Sequence, residues 1–270
     1  MKISIVTPSY NQAQYLPTCL RSVSLQSYRP VEHIIVDGGS KDGSLDILEA
    51  FKARDSWLRF SSEPDHGQGD AVNKGFSLAT GDIVAWINSD DFYFSTRVFE
   101  NVVKEFASHP EVDVLYGGMA YVDSMNHLVH VRIPPAFDYP RLTRIAYIGN
   151  TNAFYRRKVI KRYQVDPDYH YVIDHEYMLR VTKDFCTMRI PEMIACFRVH
   201  PQAKTQTLSA AQKNVERSRR DSYHKISVGF KHRLLSYRDR VPFRLNLAYA
   251  DLRYLRKWRA NPPYQGFLAP

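Results

Sequence analysis

The feature that most constrains the fold is an alternation of short apolar runs with helical patterns through the first half of the chain. The apolar runs are bounded by turn residues, and the helical patterns repeat apolar residues three and four positions apart. Strands that alternate with helices pair in parallel through crossover connections. The sequence therefore predicts an α/β fold with a mostly parallel, Rossmann-like sheet and helices on both faces. Its predicted strands are residues 2–7, 31–36, 57–61, 82–88 and 112–116.

The second half of the chain has a different pattern. Residues 120–133 predict an antiparallel strand pair that turns at 124–126, and residues 174–182 predict a helix. Two short strands are expected within 185–199. From residue 209 onward, helical patterns rich in basic and aromatic residues dominate.

The net charge of +9 is concentrated near the carboxyl terminus. Residues 213–259 carry 14 Lys and Arg against 4 Asp and Glu, which leaves the rest of the chain at −1. We therefore predict a catalytic domain over 1–208 and a basic, mainly helical extension over 209–270. Basic helices with aromatic residues bind anionic membrane surfaces, and we expect residues 213–260 to do so. Packing on the body and contact with a second copy of the chain are alternatives, and nucleic-acid binding is disfavoured.

The sequence also constrains the compartment. Cys19, Cys186 and Cys196 are too widely spaced for a disulfide framework or a CxxC metal site. The first residues lack the apolar segment of a signal peptide, and no run reaches the roughly 20 apolar residues that cross a bilayer. We expect a cytoplasmic protein, at most peripheral on the inner face of the membrane.

Polar residues collect where the predicted parallel strands end. In an open parallel sheet this edge is where ligands bind. Its loops would bring Asp37, Asp65, Asp90 and Asp91 together, and clustered carboxylates repel unless a cation neutralises them. Mg²⁺ and Mn²⁺ bind such oxygens, commonly together with substrate phosphate. The loops are residues 7–11, 37–40, 63–67 and 88–91.

Other nucleotide-binding motifs are missing. Gly67 and Gly69 lack the third glycine of GxGxxG, and GxxxxGK[ST] does not occur. These absences exclude a dinucleotide-binding Rossmann domain and a P-loop enzyme by motif. Capping of the helix that begins near Arg97 is the alternative for Asp90 and Asp91, but their distance from Arg97 disfavours it. A structural role is also an alternative for Asp65, and a plain turn role is the alternative for Asp37.

Four segments of the sequence carry a recognisable set of motifs. They are SIVTPSYN at 4–11, VDGGSKDGS at 36–44, GQGDAVNKGFSLATGDIVAWINSDD at 67–91 and IDHEYMLRV at 173–181. Together they resemble one family, the inverting family-2 glycosyltransferases, which have the GT-A fold. The resemblance covers roughly residues 1–205, with the elements in the family's order. SEPDHGQGDAVNKG is similar to a bacterial branch that builds exopolysaccharide, lipopolysaccharide or glycolipid.

The resemblance implies a nucleotide-sugar donor with UDP, GDP or dTDP. By position, Asp37 would accept a hydrogen bond from the base, Asp65 would lie near the base or ribose, and Lys74 near the sugar phosphate. The remaining residues expected at the donor are Thr7, Pro8, Ser9, Tyr10, Asn11, Asn88, Ser89 and Arg198.

The resemblance also implies a divalent metal, Mn²⁺ or Mg²⁺. The family's Asp-x-Asp motif falls on Asn88-Ser89-Asp90, so Asp90 is the first candidate ligand and Asp91 lies beside it. Asn88 replaces the usual first Asp, and an amide brings no charge, which lowers the expected metal affinity. His200 would lie near the metal or the diphosphate, and an exposed loop position is the alternative for it.

The catalytic base of the family falls on Asp174, with Glu176 as the fallback. An inverting transfer is a single in-line displacement, so one base on the acceptor side suffices. A helix N-cap is the structural alternative for Asp174. Two residues apart on a helix, the two carboxylates face different directions.

The sequence thus predicts transfer of a sugar to a hydroxyl of a glycan or lipid-linked acceptor during cell-surface polysaccharide or glycolipid synthesis. A nucleotidyltransferase is one alternative, but residues 4–15 lack its Gly-rich, basic phosphate-binding stretch. A nucleotide-sugar-binding module without catalysis is the other, suggested by Asn88.

Overall fold

The structure is a computed structural model. It describes residues 1–226 and, beyond them, residues 229, 232, 234–237 and 239. Most of the segment predicted to contact a membrane, residues 213–260, therefore lies outside the described residues. Within the described residues, no helix combines the length and apolarity needed to cross a bilayer.

The first half of the chain confirms the predicted alternation of strands and helices. Strand β1 pairs in parallel with β2 on one side and with β4 on the other, and β3 extends the sheet beyond β2. The elements are β1 (Ile3–Ser9), α1 (Leu16–Ser24), β2 (Val31–Asp37), α2 (Ser44–Arg54), β3 (Leu58–Ser62), α3 (Gln68–Leu78) and β4 (Ile83–Trp86).

Strand β1 is buried along its whole length because helices cover both faces of the sheet. One face packs Val6 against Val72 and Phe76 of α3, and the other packs Ile5 with α1 side chains. A Cβ atom at Gly75 would collide with the Val6 side chain, so α3 lies unusually close to β1. The two apolar layers hold the carboxyl ends of the strands at one edge.

The second half of the chain adds a mixed part to the sheet. The strand order is β3-β2-β1-β4-β8-β6-β9-β5, with β7 paired to β6. Strand β8 is antiparallel to both β4 and β6, while β9 is parallel to β6. The elements are β5 (Phe92–Tyr93), α4 (Val98–Ser108), β6 (Val114–Val122), β7 (Leu128–Arg132), α5 (Tyr139–Arg144), β8 (Ala153–Arg156), α6 (Arg157–Arg162), α7 (Ile173–Asp184), β9 (Thr187–Arg198), α8 (Lys204–Thr207) and α9 (Ala210–Tyr223).

Two predictions for this half had different outcomes. The antiparallel pair within 120–133 is confirmed by β6 and β7. The prediction of two strands within 185–199 is wrong, because residues 187–198 form a single strand, β9, that pairs with β6. The pairing register shifts at Gly118, where β9 contains extra residues that include Pro191. Proline has no N–H to donate, so it fits this irregularity but not a regular ladder.

Several short elements were not predicted, including β5, β8, α5 and α6. They contain between two and six residues each. A period of 2 or 3.6 residues cannot be recognised over so few positions. These elements are fixed by the neighbours against which they pack.

Candidate functional site

A cavity of about 390 Å³ lies at the edge where the first strands end. The loops after β1, β3 and β4 form one side of it, and the start of α7 with residues 197–205 forms the other. The predicted site residues that line it are Pro8, Ser9, Tyr10, Asp65, Asn88, Ser89, Asp90 and Asp174.

Asp37 lies at the same edge, since it pairs in register with Ser9. Its carboxylate is buried and accepts hydrogen bonds from the Gly39 and Ser40 N–H groups and from the Ser62 hydroxyl, at 3.1, 2.8 and 2.7 Å. These bonds tie the turn after β2 to the end of β3. Asp37 itself does not line the cavity. It supports the loop after β3, which does.

Thr7, Asn11 and Lys74 are not among the residues that line the cavity. The Thr7 hydroxyl bonds to Nε2 of buried His33 at 2.9 Å, and burial lowers the pKa of His33 to about 3. The Asn11 side chain accepts from the backbone of Lys41 at 2.9 Å. Lys74 forms ion pairs with Glu63 and Asp70 at 3.0 and 3.4 Å. Thr7 thus links β1 to β2, Asn11 links the loops after these two strands, and Lys74 links α3 to the end of β3.

Asn88 is fixed by two donors. Its side-chain oxygen accepts from Gln68 Nε2 at 2.7 Å and from Trp86 Nε1 at 3.0 Å. The amide thus connects the end of β4 with the start of α3, which gives this position a role that needs no charge.

Asp90 and Asp91 face different surroundings. The Asp91 carboxylate is buried, and it accepts from the Arg198 N–H at 2.9 Å and from the Thr151 hydroxyl at 2.7 Å. Burial, together with the charge of Asp90, raises the pKa of Asp91 well above its usual value. Asp91 ties β9 to the loop before β8, and of the two only Asp90 lines the cavity.

Arg198 and His200 support Asp90 from behind. The Arg198 guanidinium donates to the Asp90 backbone carbonyl at 2.8 Å and lies 4.7 Å from the centre of the Tyr15 ring. Nε2 of His200 lies 3.0 Å from the Asp90 carboxylate, and its side chain has no exposed surface. Both residues therefore orient Asp90 without lining the cavity.

Asp90 is the residue that fits a metal. Among the described residues, no group of three His, Cys, Asp or Glu side chains is arranged to hold one. Mg²⁺ and Mn²⁺ nevertheless bind through one or two carboxylates when substrate phosphate completes the shell. Asp90 would be that carboxylate, oriented by His200 as ligating groups are by their hydrogen-bond partners.

Asp174 lies in the first turn of α7, on the opposite wall. It is not the N-cap, a position held by Val172. Gly149 leaves room for this carboxylate, because a Cβ atom at position 149 would lie only 3.0 Å from Oδ2 of Asp174. Burial raises the pKa of Asp174, although the His175 N–H at 2.8 Å and the charge of Arg132 partly oppose this.

Glu176 faces away from the cavity. Its carboxylate is buried and paired with the Arg180 guanidinium at 2.7 Å, one helical turn along α7. Glu176, the second candidate for the base, thus forms an ion pair inside the protein.

Helix α9 holds the segment that leads into Asp174. One carboxylate oxygen of Glu216 accepts from the backbone N–H groups of His170, Tyr171 and Val172 at 3.0, 2.6 and 3.2 Å. Because α9 has no buried residues, polar contacts of this kind hold it on the body.

His175 adds a second link between α9 and the residues next to Asp174. Burial, followed by the charge of Arg220, lowers the pKa of His175 to about 3, so the ring is neutral. Its Nδ1 accepts from Arg220 at 2.8 Å, and its Nε2 donates to the Leu142 carbonyl at 2.7 Å. The chain adjacent to Asp174 is therefore held from α5 and from α9.

A second cavity, of about 850 Å³, adjoins the first. Asp174 lines both, so its carboxylate lies at the boundary between them. A base with a raised pKa in this place can take a proton from a group in one cavity while that group attacks a molecule in the other. The other residues common to both cavities are Asn150, Tyr171, Phe197 and Thr205.

Sequence reasoning missed most of the far wall of the first cavity. Gln68, on the side formed by the loops after the strands, was also missed. It follows Gly67 directly and begins α3, and this position could have indicated that it faces the edge of the sheet. Asn150, His170, Tyr171 and Phe197 carried no comparable local signal. They reach the cavity through the packing of the second half.

Comparison with known proteins gives a consistent result. The model of the glycosyl transferase family 2 matches residues 4–164. A PGL/p-HBAD biosynthesis glycosyltransferase of Mycobacterium bovis is 34% identical over 155 residues, covering 57% of this chain and 59% of that protein. An uncharacterised glycosyltransferase of Nostoc sp. is 24% identical over 95% of this chain and 84% of its own. The chain thus spans less than two thirds of the mycobacterial relative.

Solved structures share the fold. TarS of S. aureus in complex with UDP-GlcNAc matches with a TM-score of 0.63 at 18% identity, covering 78% of this chain and 62% of that one. The mannosyltransferase PcManGT of Pyrobaculum calidifontis, in complex with GDP-Man and Mn²⁺, matches with a TM-score of 0.57 at 17% identity, covering 98% and 84%. These matches confirm the predicted GT-A fold.

Proposed function

Because the chain belongs to glycosyl transferase family 2, we propose that it moves a sugar from a nucleoside-diphosphate donor to a hydroxyl of an acceptor, with inversion at the anomeric carbon. The observation that carries the proposal is the position of Asp174 at the boundary of two adjoining cavities.

The first cavity takes the donor. Of the residues that line it, Ser9, Tyr10 and Asp65 would face the nucleoside, and Asp90 would lie on the side of the diphosphate. Support comes from fold neighbours that were solved with UDP-GlcNAc and with GDP-Man. Lys204 lines the same cavity, where its ammonium group would pair with phosphate oxygens.

The second cavity takes the acceptor. Its hydroxyl would lie beside the Asp174 carboxylate and lose its proton to it while the oxygen attacks the anomeric carbon. A single displacement of this kind inverts the configuration and needs no covalent intermediate. Burial raises the pKa of Asp174, which makes its carboxylate a stronger proton acceptor.

A divalent cation, Mn²⁺ or Mg²⁺, would bind at Asp90 and supply positive charge to the departing diphosphate. His200 keeps the Asp90 carboxylate turned to the cavity side. Lys204 adds charge of the same sign from the opposite wall.

The acceptor we propose is a glycan or lipid-linked glycan of the cell surface, modified at the inner face of the membrane. Support comes from the glycolipid-type motif at 62–75 and from the basic composition of residues 213–260. The mycobacterial relative, named for PGL/p-HBAD biosynthesis, is in accord with this class.

The experiment is a panel of nucleotide sugars, scored by thermal shift with Mn²⁺ and then by nucleoside-diphosphate release. The expected result is stabilisation by one nucleotide class and release that requires both metal and Asp174. If Asp174→Asn binds the donor but releases no diphosphate, the enzyme is confirmed. If wild type binds donors and never releases diphosphate, even with glycan and lipid-linked acceptors present, the chain is a binding module instead.

A further inference from the structure

The loop before β8 contains three consecutive polar residues that are buried. Asn150, Thr151 and Asn152 have 6, 2 and 2% of their surface exposed. Buried polar side chains are normally hydrogen-bonded, because a buried donor or acceptor without a partner is unfavourable. Each of the three is therefore expected to have a partner inside the protein.

Two of the three side chains have such partners. The Thr151 hydroxyl donates to the Asp91 carboxylate at 2.7 Å. Asn152 donates from Nδ2 to the Gly117 carbonyl at 2.6 Å, and its Oδ1 accepts from the Gly149 N–H at 2.9 Å. These bonds fix the loop to β6 and to the segment before β5.

Asn150 is the exception. Its Nδ2 atom is buried, and in the part of the chain that the structure describes no atom accepts a hydrogen bond from it. The residue lines both cavities. The terminal torsion of an asparagine is broad, so a rotation of the amide turns Nδ2 towards the space between the cavities. This amide is therefore available to a bound molecule.

The chain neighbours of Asn150 indicate which part of a bound donor reaches it. A Cβ atom at Gly149 would lie 3.0 Å from Oδ2 of Asp174, so this side of the loop lies against the proposed base. On the other side, Thr151 bonds to the carboxylate next to Asp90, the proposed position of the diphosphate. In a single in-line displacement the anomeric carbon lies between the base side and the leaving diphosphate. Asn150 thus lies beside the transferred sugar.

We propose that the Asn150 amide hydrogen-bonds a hydroxyl of the transferred sugar and thereby selects among donor sugars. The inference rests on the proposed function and deepens it by assigning one contact of the donor's sugar. A buried polar group that is completed by a substrate hydroxyl discriminates against a substrate without that hydroxyl, because the group is then left unpaired. The same contact orients the anomeric carbon towards Asp174.

Isothermal titration calorimetry on the full chain with Mn²⁺ tests this contact. The probes are UDP-glucose, UDP-GlcNAc, GDP-Man and dTDP-glucose, each compared with its own nucleoside diphosphate. For the nucleotide sugars that wild type binds, Asn150→Ala should weaken binding roughly two- to tenfold, which corresponds to about 0.5–1.5 kcal/mol for one hydrogen bond. The affinity for the matching diphosphate should stay as in wild type.

Asn214→Ala is the matched control. It is the same substitution at an exposed position of α9 that lines neither cavity, and it should bind every probe as wild type does. Monodeoxy forms of the bound nucleotide sugar sharpen the test. At one position, loss of the hydroxyl should weaken binding to wild type and leave binding to Asn150→Ala unchanged.

A second measurement, thermal melting, needs no ligand. Because Nδ2 of Asn150 donates to no described protein atom, Asn150→Ala should melt close to wild type or above it. Asn152→Ala removes the bonds to Gly117 and Gly149 and should melt at a lower temperature. This contrast distinguishes a residue kept for a ligand from one kept for the fold.

Three results would overturn the proposal: unchanged affinity of Asn150→Ala for every nucleotide sugar that wild type binds, an equal loss for the sugar and its diphosphate, or a fall in melting temperature as large as that of Asn152→Ala. Failure of the proposed function looks different. If nucleotide sugars bind and are never turned over, the transfer is wrong while the affinities of Asn150→Ala still decide the inference. A wild type that binds no nucleotide sugar overturns both.

Discussion

The proposed donor side of this molecule, around the first cavity, and the proposed acceptor side, around the second cavity, are built by different forces. The donor side rests on β1, whose every residue is buried between two apolar layers. The acceptor side rests on polar contacts between distant segments, such as Glu216 with the backbone at 170–172 and Arg144 with Asp239. Hydrophobic layers give a rigid frame, whereas each hydrogen bond adds only a small net stability while it holds two segments in position. Changes on the two sides should therefore have different effects.

The largest effect is expected at the point where the two sides meet. Asp174→Asn removes the proposed base and should lower kcat by roughly 10²–10⁴-fold, the usual contribution of a general base. Donor affinity should stay close to wild type. Because the base must be deprotonated and burial raises its pKa, wild-type activity should fall as the pH drops through that raised value.

Steady-state kinetics across pH measure this prediction. The acid limb should disappear in the residual activity of the variant. If Asp174→Asn kept both its turnover and the acid limb of the pH profile, a residue other than Asp174 would be the base.

The second-largest effect is expected on the acceptor side, from Glu216→Ala. The variant leaves three backbone N–H groups without their acceptor and frees the segment before Asp174. Turnover should fall roughly 10–100-fold, in line with about 1.5–3 kcal/mol for a charged hydrogen-bond partner. The matched control is Val215→Ala, a change at an exposed neighbour on the same helix.

Kinetics and thermal melting together distinguish positioning from simple unfolding. For Glu216→Ala we expect a lower kcat, an unchanged KM for the donor and nearly unchanged melting. A large fall in melting temperature with unchanged kcat would contradict the proposed role of α9.

The donor side should instead respond through global stability. Gly75→Ala introduces a Cβ that collides with Val6 in the layer between α3 and β1. Overpacking of this kind costs about 1–3 kcal/mol of unfolding free energy. Denaturant unfolding measures the loss, and Ser77→Ala, an exposed position on the same helix, serves as the comparison. An unfolding free energy equal to that of wild type would show that α3 can move away from β1.

The smallest effect concerns acid stability of the donor side. Burial of Glu32 is outweighed by hydrogen bonds from Lys2, Ser4 and Thr80, which lower its pKa to about 2. This stabilisation is fully present above the usual value of 4.5 and is lost as the pH falls through about 2. Glu32→Gln should therefore lose about 1–2 kcal/mol at neutral pH, after allowance for solvent screening, and nothing at the acid end.

Chemical denaturation at a series of pH values checks this prediction. The curves of wild type and variant should converge as the pH approaches 2. Parallel curves across the range would show that packing of Glu32, not its charge, supplies the stability.

Much of the donor side could be predicted from the sequence because its signals are local. Pro8, Ser9, Asp65 and Asp90 follow predicted strands, and parallel strands end at one edge. The cavity includes all four. Asp91 shows the limit of this reasoning, because neighbours in the chain can face opposite directions and only packing against Arg198 and Thr151 turns its carboxylate inward.

The acceptor side could not be predicted in the same way. Glu216 and Tyr171 are 45 positions apart, and their contact depends on where α9 lies on the body. A polar helix without an apolar stripe offers no periodic signal for its docking site. The second cavity exists only once β6, β7, α5 and α9 are assembled.

The sequence by itself determined the alternating frame and the edge at which donor-side residues gather, since both follow from the spacing of apolar residues along one stretch of chain. The tertiary structure alone decided which of the predicted carboxylates face a cavity: Asp65, Asp90 and Asp174 do, while Asp37, Asp91 and Glu176 are held by partners inside the protein. The physical reason is that the direction of a side chain depends on neighbours brought from far along the chain, about which local spacing carries no information.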